Sequence, residues 1–230
     1  MYRRVILKLS GEVLSGPAGP LDPERVGGFA GEIKDALAAG IQLGIVLGGG
    51  NLIRGRSAGG DRVRADRMGM LATIINGLAF QEELEKQGVP CRLFSSLKGE
   101  AWLEPYERGH AVRSLEEGKV CIFSGGTGLP FFSTDTAAAL RSLETGADAL
   151  LKTTRVKGVY DKDPEKFPDA KFFPELTYKE VLEKQLGIMD LTAISLCMEY
   201  KLPVIVFSMF EKGNMKKVLT GEKIGSIIRG

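Results

Sequence analysis

"GIQLGIVLGGGNLIRG", residues 40–55, is the stretch on which the fold turns. An apolar run ending in Ile45-Val46-Leu47 stops at Gly48-Gly49-Gly50. Asn51 follows, and Arg54 comes four residues after Gly50. A short apolar run bounded by glycines reads as a buried strand. Three glycines at its end mark a turn where backbone must come close to something. Taken alone, that something is equally well a packed helix or a bound ligand.

The same punctuation recurs along the chain. Val5–Leu9, Ile41–Leu47, Cys91–Phe94, Val120–Ser124 and Ala149–Lys152 read as strands, joined later by Val204–Phe207 and Ser226–Arg229. Helical patterns lie between them. Pro23–Ala39 places Val26, Phe29, Ile33 and Leu37 at three- and four-residue steps, starts at Asp22-Pro23 and stops at Gly40. Asp61–Gln87 is a longer helix whose buried face is read as Leu71, Ile74, Ile75 and Leu78, with Asp66, Met70 and Thr73 on another face. Thr134–Glu144, Tyr178–Gln185, Thr192–Tyr200 and Asn214–Leu219 complete the helices, and residues 156–178 read as a loop-rich insertion. Strands alternating with helices predict an α/β fold, a mainly parallel sheet between two helical layers. With no linker or repeat, residues 1–230 are expected to form a single domain.

Composition narrows the function. The hydrophobic fraction of 43% and charged fraction of 26% are those of a globular protein, whereas 30 glycines are an excess to be explained by position. With 31 basic and 29 acidic residues and no basic block, no nucleic-acid partner is indicated. No run approaches the ~18 apolar residues of a membrane span, and the expected location is cytoplasmic. Cys91, Cys121 and Cys197 are scattered and read as reduced, packed thiols. With a single histidine, His110, in a charged stretch, no protein-borne metal site is expected.

In an open α/β sheet ligands bind at the carboxyl ends of the strands. Four such ends carry glycine, hydroxyl or charged residues: Lys8–Glu12, Gly48–Gly55, Ser124–Asp135 and Lys152–Asp163. Backbone N–H groups freed of Cβ atoms, together with Lys8 and Arg54, suit a polyanion, in the first place a chain of phosphates. Neither GxxxxGK[ST] nor GxGxxG is present. Asp135 is equally suited to capping a helix.

"KLSGE", "GGGNLIRG", "DRMGMLATIINGLA", "GTGLPFFSTDTAA", "VKGVYDKDP" and "MDLTA" occur in this order. Together they resemble the bacterial uridylate (UMP) kinases of the amino acid kinase superfamily, from about Val5 onward. The resemblance implies a three-layer αβα sandwich that transfers the γ-phosphoryl group of ATP to UMP in pyrimidine nucleotide biosynthesis. It also implies Mg²⁺ carried on the ATP phosphates, a homohexamer, and allosteric control with UTP as inhibitor. By the same resemblance, Lys8, Leu9, Ser10, Gly11, Gly50, Arg54, Thr154, Tyr160 and Asp163 fall on the ATP side. Gly49, Asp66, Thr127, Gly128, Leu129, Pro130, Phe131, Phe132, Ser133 and Thr134 fall on the UMP side, Asp66 receiving the ribose hydroxyls. Lys8, Arg54, Asp135 and Asp190 are the catalytic set, with Asp135 organising cations and Asp190 near the phosphates. Residues 1–135 would then carry mainly UMP and residues 136–230 mainly ATP.

The chemistry is consistent with these residue types. The acceptor phosphate of UMP, with a second pKa near ~6, is already mostly dianionic and needs no general base. The obstacle is repulsion between two substrates carrying about six negative charges, so alignment and neutralisation dominate. One stretch departs from the family pattern. At Ser15–Pro23, "SGPAGPLDP", Pro20 and Leu21 replace an aromatic residue and a glycine in a segment that the family associates with GTP activation. Weak or absent GTP activation is expected. The competing readings are a kinase of carbamate, acyl carboxylates or isopentenyl phosphate, and a nucleotide sensor for UTP or UMP.

Overall fold

The computed structural model describes residues 2–53, 60–211 and 213–230. In chain order these form β1 (Arg4–Leu9), a 3-10 turn (Gly11–Leu14), α1 (Pro23–Leu37), β2 (Gln42–Leu47), α2 (Arg62–Lys86), β3 (Cys91–Ser95) and β4 (Glu104–Pro105). Then come α3 (Arg108–Glu116), β5 (Val120–Ser124), α4 (Thr134–Thr145), β6 (Ala149–Thr154), β7 (Val159–Tyr160), β8 (Phe172–Phe173) and β9 (Glu175–Thr177). The chain ends with α5 (Tyr178–Glu183), α6 (Leu191–Glu199), β10 (Val204–Ser208), α7 (Asn214–Leu219) and β11 (Ser226–Arg229).

Nine strands form one sheet in the order β4-β3-β5-β2-β1-β6-β10-β11-β9, in which only β10 and β11 pair antiparallel. On one side of β1 the sheet runs through β2, β5, β3 and β4, the chain laying β3 and β4 outermost before returning to slot β5 in beside β2, and it then crosses back to lay β6 on the other side of β1. The carboxyl end of β1 is therefore a switch point, where such sheets leave a crevice.

Alternation within the strands coats both faces. Val5, Leu7 and Leu9 of β1 join Leu43, Ile45 and Leu47 of β2 in one apolar layer under α1, α2 and α7. Ile6, Val46, Cys121 and Phe123 point the other way, into a layer closed by α3, α4, α5 and α6. Doubly covered strands explain why β1, β2 and β5 read as continuous apolar runs. The helix start at Asp22 is as expected: its carboxylate accepts from Glu24 N at 3.0 Å and Arg25 N at 3.3 Å, with Pro23 in the first turn. A third N–H, from Ala18 at 3.1 Å, helps to hold that carboxyl below its usual range.

One reading is overturned. Leu71, Ile75 and Leu78, expected on the buried face of α2, are 54, 49 and 40% exposed, and only Ile74 is buried. The inward face instead carries Met70, Thr73, Asn76, Gly77, Phe80 and Leu84. It looks across the glycine turn and the ends of the strands, so small and polar residues are required there. The apolar row at 68, 71, 75 and 78 faces outward. The loop-rich insertion also contains more order than its composition indicates. It holds the β7–β8 hairpin and the edge strand β9, whose last residue, Thr177, forms a capping box with Glu180. The charged stretch around His110 is a helix, α3, with the imidazole half exposed.

Candidate active site

β1 and β6 are parallel neighbours, and their register sets Lys8 opposite Lys152. Two ammonium groups side by side at the end of a sheet repel each other. Asp135, in the first turn of α4, offsets this. Its Oδ1 lies 3.0 Å from Lys8 Nζ and its Oδ2 2.5 Å from Lys152 Nζ. All three side chains are no more than 13% exposed. Burial works to raise the Asp135 carboxyl, but the Lys8 and Lys152 charges together outweigh it and the net direction is downward. Burial and the neighbouring Lys8 lower Lys152 despite its pairing with Asp135. The cluster keeps one net positive charge aimed into a cleft.

Asp135 is not the cap of α4. Ser133 is: its Oγ accepts from Asp135 N at 2.9 Å and Thr136 N at 3.2 Å. The same Oγ donates to Asp190, which also accepts from Thr136 Oγ1 at 2.9 Å and from Ala193 N at 3.1 Å at the start of α6. Asp190 thus ties the N-termini of α4 and α6 together.

The glycine turn after β2 is built for closeness. A Cβ on Gly49 would lie 2.8 Å from Gly69 O and 2.9 Å from Ala72 Cβ, so this residue lets α2 approach. A Cβ on Gly11 would strike Asn51 Oδ1 at 2.4 Å and Gly48 O at 2.6 Å, where the turns after β1 and β2 touch. A Cβ on Gly50 would meet nothing within 4 Å, and this residue borders the cleft. Asn76, fully buried on α2, fastens this turn. Its Nδ2 donates to Gly48 O and to Asn51 Oδ1, each at 2.7 Å, while Asn51 Nδ2 donates back to Asn76 Oδ1 at 2.9 Å. Three turns higher, Asp66 takes Arg62 Nε at 2.8 Å and the N–H of Phe131 at 2.7 Å.

The loop after β5 turns through Gly125, Gly126 and Gly128, all in the left-handed region. Thr73 Oγ1 accepts from Gly125 N at 2.7 Å, and Ser96 Oγ donates to Gly126 O at 2.8 Å. Behind Ser96, Arg141 donates to Ser96 Oγ at 3.0 Å and stacks on the Tyr106 ring at 3.6 Å, so the base of the loop is held from α2 and from α4.

These elements enclose a cavity of about 590 Å³ lined by Lys8, Gly49, Gly50, Asp66, Thr127, Phe132, Ser133, Thr134, Asp135 and Asp190, together with Arg62 and Lys152. A second cavity of about 300 Å³ is lined by Thr154, Tyr160 and Asp163, and Lys152 borders both. Ser10 faces a third hollow, shared with Lys8, Lys152, Thr154 and Asp163. The Leu9 side chain is buried in the core, leaving only its backbone to meet a ligand. Gly128, Leu129, Pro130 and Phe131 do not line the main cavity, and Leu129 and Phe131 stand exposed. Arg54 lies outside the described residues. Among the described residues no three His, Cys, Asp or Glu side chains are grouped so as to hold a metal ion. No helix among them is long and apolar enough to cross a membrane.

Sequence reasoning missed Lys152 and Asn76. Lys152 had a legible signal, a lone charge closing an apolar strand as Lys8 does. Asn76 had none, because its partners are backbone and another amide.

The family model for the amino acid kinase family matches residues 3–208. A crystal structure of UMP kinase from Bacillus anthracis is similar over 99% of this chain and 96% of its own, with a TM-score of 0.95 and 38% identity. A UMP kinase structure from Ureaplasma parvum covers both chains completely at TM-score 0.92 and 34% identity. A uridylate kinase structure from Archaeoglobus fulgidus covers 97% of this chain and 99% of its own at TM-score 0.76 and 26% identity.

Proposed function

The chain belongs to the amino acid kinase family, and we propose that its reaction is transfer of the γ-phosphoryl group of ATP to UMP, giving ADP and UDP. The observation that carries this reading is the Lys8–Asp135–Lys152 clamp where the two cavities meet. Lys152 borders both cavities, the position a cation needs if it is to meet a phosphoryl group passing from one to the other. UMP takes the larger cavity, its ribose on Asp66 and its base against Thr127–Thr134. ATP takes the smaller one, its adenosine beside Thr154, Tyr160 and Asp163. Residues 1–135 then supply most of the UMP side and residues 136–230 most of the ATP side.

In this geometry the acceptor oxygen of UMP attacks the γ-phosphorus of ATP in line, and the bond to the β-phosphate oxygen breaks. No proton has to be removed. Lys8, Lys152 and Arg54 offset the charge on the transferring group, and amide N–H groups of the glycine turn and of the α4 start add fixed dipoles. Asp135 holds both ammonium groups in place before substrate arrives and so acts through them. Asp190 positions Ser133 and the start of α4. Mg²⁺ fits as a passenger on the ATP phosphates, because Asp135 and Asp190 are already committed to lysines and to hydroxyls.

The exposed row Met68, Leu71, Ile75 and Leu78 supports self-association, which we read as part of a homohexamer. Inhibition by UTP, the end product's triphosphate, and a cytoplasmic place in pyrimidine nucleotide biosynthesis belong to the same proposal. GTP should activate weakly: the Ser15–Pro23 segment is pinned by the Gly16–Gly19 bridge and by Asn51 Nδ2 donating to Pro20 O at 2.7 Å. A coupled assay of ATP with UMP, CMP, dUMP, TMP, carbamate and isopentenyl phosphate tests the function. Selective turnover of UMP supports it, and turnover of carbamate or isopentenyl phosphate in place of UMP overturns it.

A further inference from the structure

Arg141, on α4, lines none of the three cavities, yet it is only 6% exposed. Its guanidinium stacks on the Tyr106 ring, pairs with Glu144 and donates to Ser96 Oγ at 3.0 Å. Tyr106 Oη donates to the same Glu144 carboxylate at 2.8 Å. A buried charge is a costly source of stability, because desolvation offsets much of what its pairing gains. What it supplies here is direction. A guanidinium can only donate, and a serine hydroxyl has a single proton. With Arg141 donating to Ser96 Oγ, that proton is turned away from α4, and Gly126 O receives it at 2.8 Å.

The Ser96 backbone supports the same loop. A Cβ on Gly128 would lie 2.9 Å from Ser96 O, and one on Gly125 would lie 3.1 Å from Ser96 N. Gly126 and Thr127 both line the larger cavity. The carbonyl of Gly126 and the N–H of Thr127 belong to one planar trans peptide, so they point in opposite directions. Fixing the carbonyl on Ser96 therefore fixes the Thr127 N–H on the side away from Ser96. A glycine at 126 leaves this peptide free to turn over unless something holds it.

We infer that Arg141 is a positioning residue for base recognition: acting through Ser96, it holds the Gly126–Thr127 peptide in the one orientation that lets the loop tell uracil from cytosine. This rests on the reading that UMP occupies the larger cavity with its base against residues 127–134. The two bases differ at C4, where uracil has an accepting oxygen and cytosine a donating amino group. A donor N–H on a fixed peptide distinguishes them, whereas a peptide that turns over offers either base what it needs. Charge on the first donor strengthens the second hydrogen bond of the chain, which is why the serine acts in concert with the arginine.

The effect should therefore depend on the base. In steady-state assays with saturating ATP, Ser96→Ala is expected to raise the KM for UMP roughly tenfold, the size of one hydrogen bond. The kcat should stay near the wild-type value, because the Lys8–Asp135–Lys152 clamp is untouched. The inhibition constant of CMP against UMP should change little, so that the preference for UMP over CMP falls by the same factor. Arg141→Met should lower that preference equally, with an added fall in the thermal midpoint from the stranded Glu144. Adding Ser96→Ala to it should cost no further UMP affinity. Arg141→Lys, which keeps a donor for Ser96 but not the planar fork, is expected to restore part of the preference. Ser96→Ala removes only a hydroxyl, so it decides the matter even where Arg141→Met does not fold. A Ser96→Ala enzyme that keeps the wild-type UMP to CMP ratio, or that loses both nucleotides equally, overturns the inference while leaving the kinase reading intact. A wild-type chain that phosphorylates no uridylate overturns both.

Discussion

Helix α2 sets polar residues into its inward face, among Met70, Ile74, Phe80 and Leu84, and leaves an apolar row on its outward face. The inward face carries Asp66, Thr73, Asn76 and Gly77, and the outward face carries Met68, Leu71, Ile75 and Leu78. Polarity points inward because the helix packs on a turn of bare backbone and a cleft, not on side chains alone. Each inward polar group has a named partner: Gly125 N for Thr73, Gly48 O and Asn51 for Asn76, Arg62 and Phe131 N for Asp66. The outward row stands exposed among the described residues. Helical periodicity locates two faces, but which one is inside depends on what the helix meets.

If the inward face is one wall of a phosphoryl-transfer cleft, the strongest response should come from the wall opposite. Lys8→Ala and Lys152→Ala are each expected to lower kcat by roughly 10²–10³-fold, the scale of losing a preorganised charge contact to a transition state. UMP affinity by isothermal titration should be nearly kept, and wild-type turnover in either variant would break the assignment. The inward face itself should answer in stability. Asn76→Ala leaves Gly48 O and the Asn51 amide without their buried partner, and urea unfolding should register a loss of about 1–3 kcal/mol. A loss no larger than that of an average surface change would show that the amide pair is not the fastening. The outward face should answer in assembly. Ile75→Glu is expected to reduce the oligomer in light scattering while leaving protomer stability within about 0.5 kcal/mol. An unchanged mass would move the interface elsewhere.

The smallest expected effect is on pH dependence. Lys152 is lowered from the ordinary lysine value of 10.5 by burial and by Lys8. Activity should therefore fall on the alkaline side before pH 10.5, as the Lys152 charge is lost. The sign for stability is opposite. Between the two pKa values the native state holds fewer protons than the unfolded chain, so stability rises with pH through that window. Lys152→Arg keeps the charge and should push the alkaline limb of kcat upward, and a limb that does not move would place the titrating group elsewhere.

Most of the scaffold was legible because its strands are buried on both faces. β5, α7 and β11 were read at their observed bounds, and β1, β2 and β6 to within two residues. What was missed lacks a long-range pattern. α3 buries only Ala111, Ser114 and Leu115 along a charged helix. The pieces β4, β7, β8 and β9 are two or three residues long, below the length at which alternation can be seen. Of the residues lining the larger cavity, Lys8 and Asp135 were read from glycine-rich strand ends and the family resemblance, and Asp66 from the resemblance alone. Lys152 was visible only as the end of an apolar strand, because its role comes from strand register, a pairing with β1 that no local window contains.

That pairing has a consequence for how the protein is made. Arg4 N donates to Asp148 across 144 residues of sequence, at the start of the β1–β6 seam. At ribosomal speeds of about 5–20 residues per second, β1 waits on the order of ten seconds before its second neighbour exists. During that interval β1 can pair with β2 alone, and an apolar strand presents an open edge in mid-sheet. A nascent chain stalled between β5 and β6 should therefore be the form most dependent on chaperones, and release past Thr154 the event that seals it.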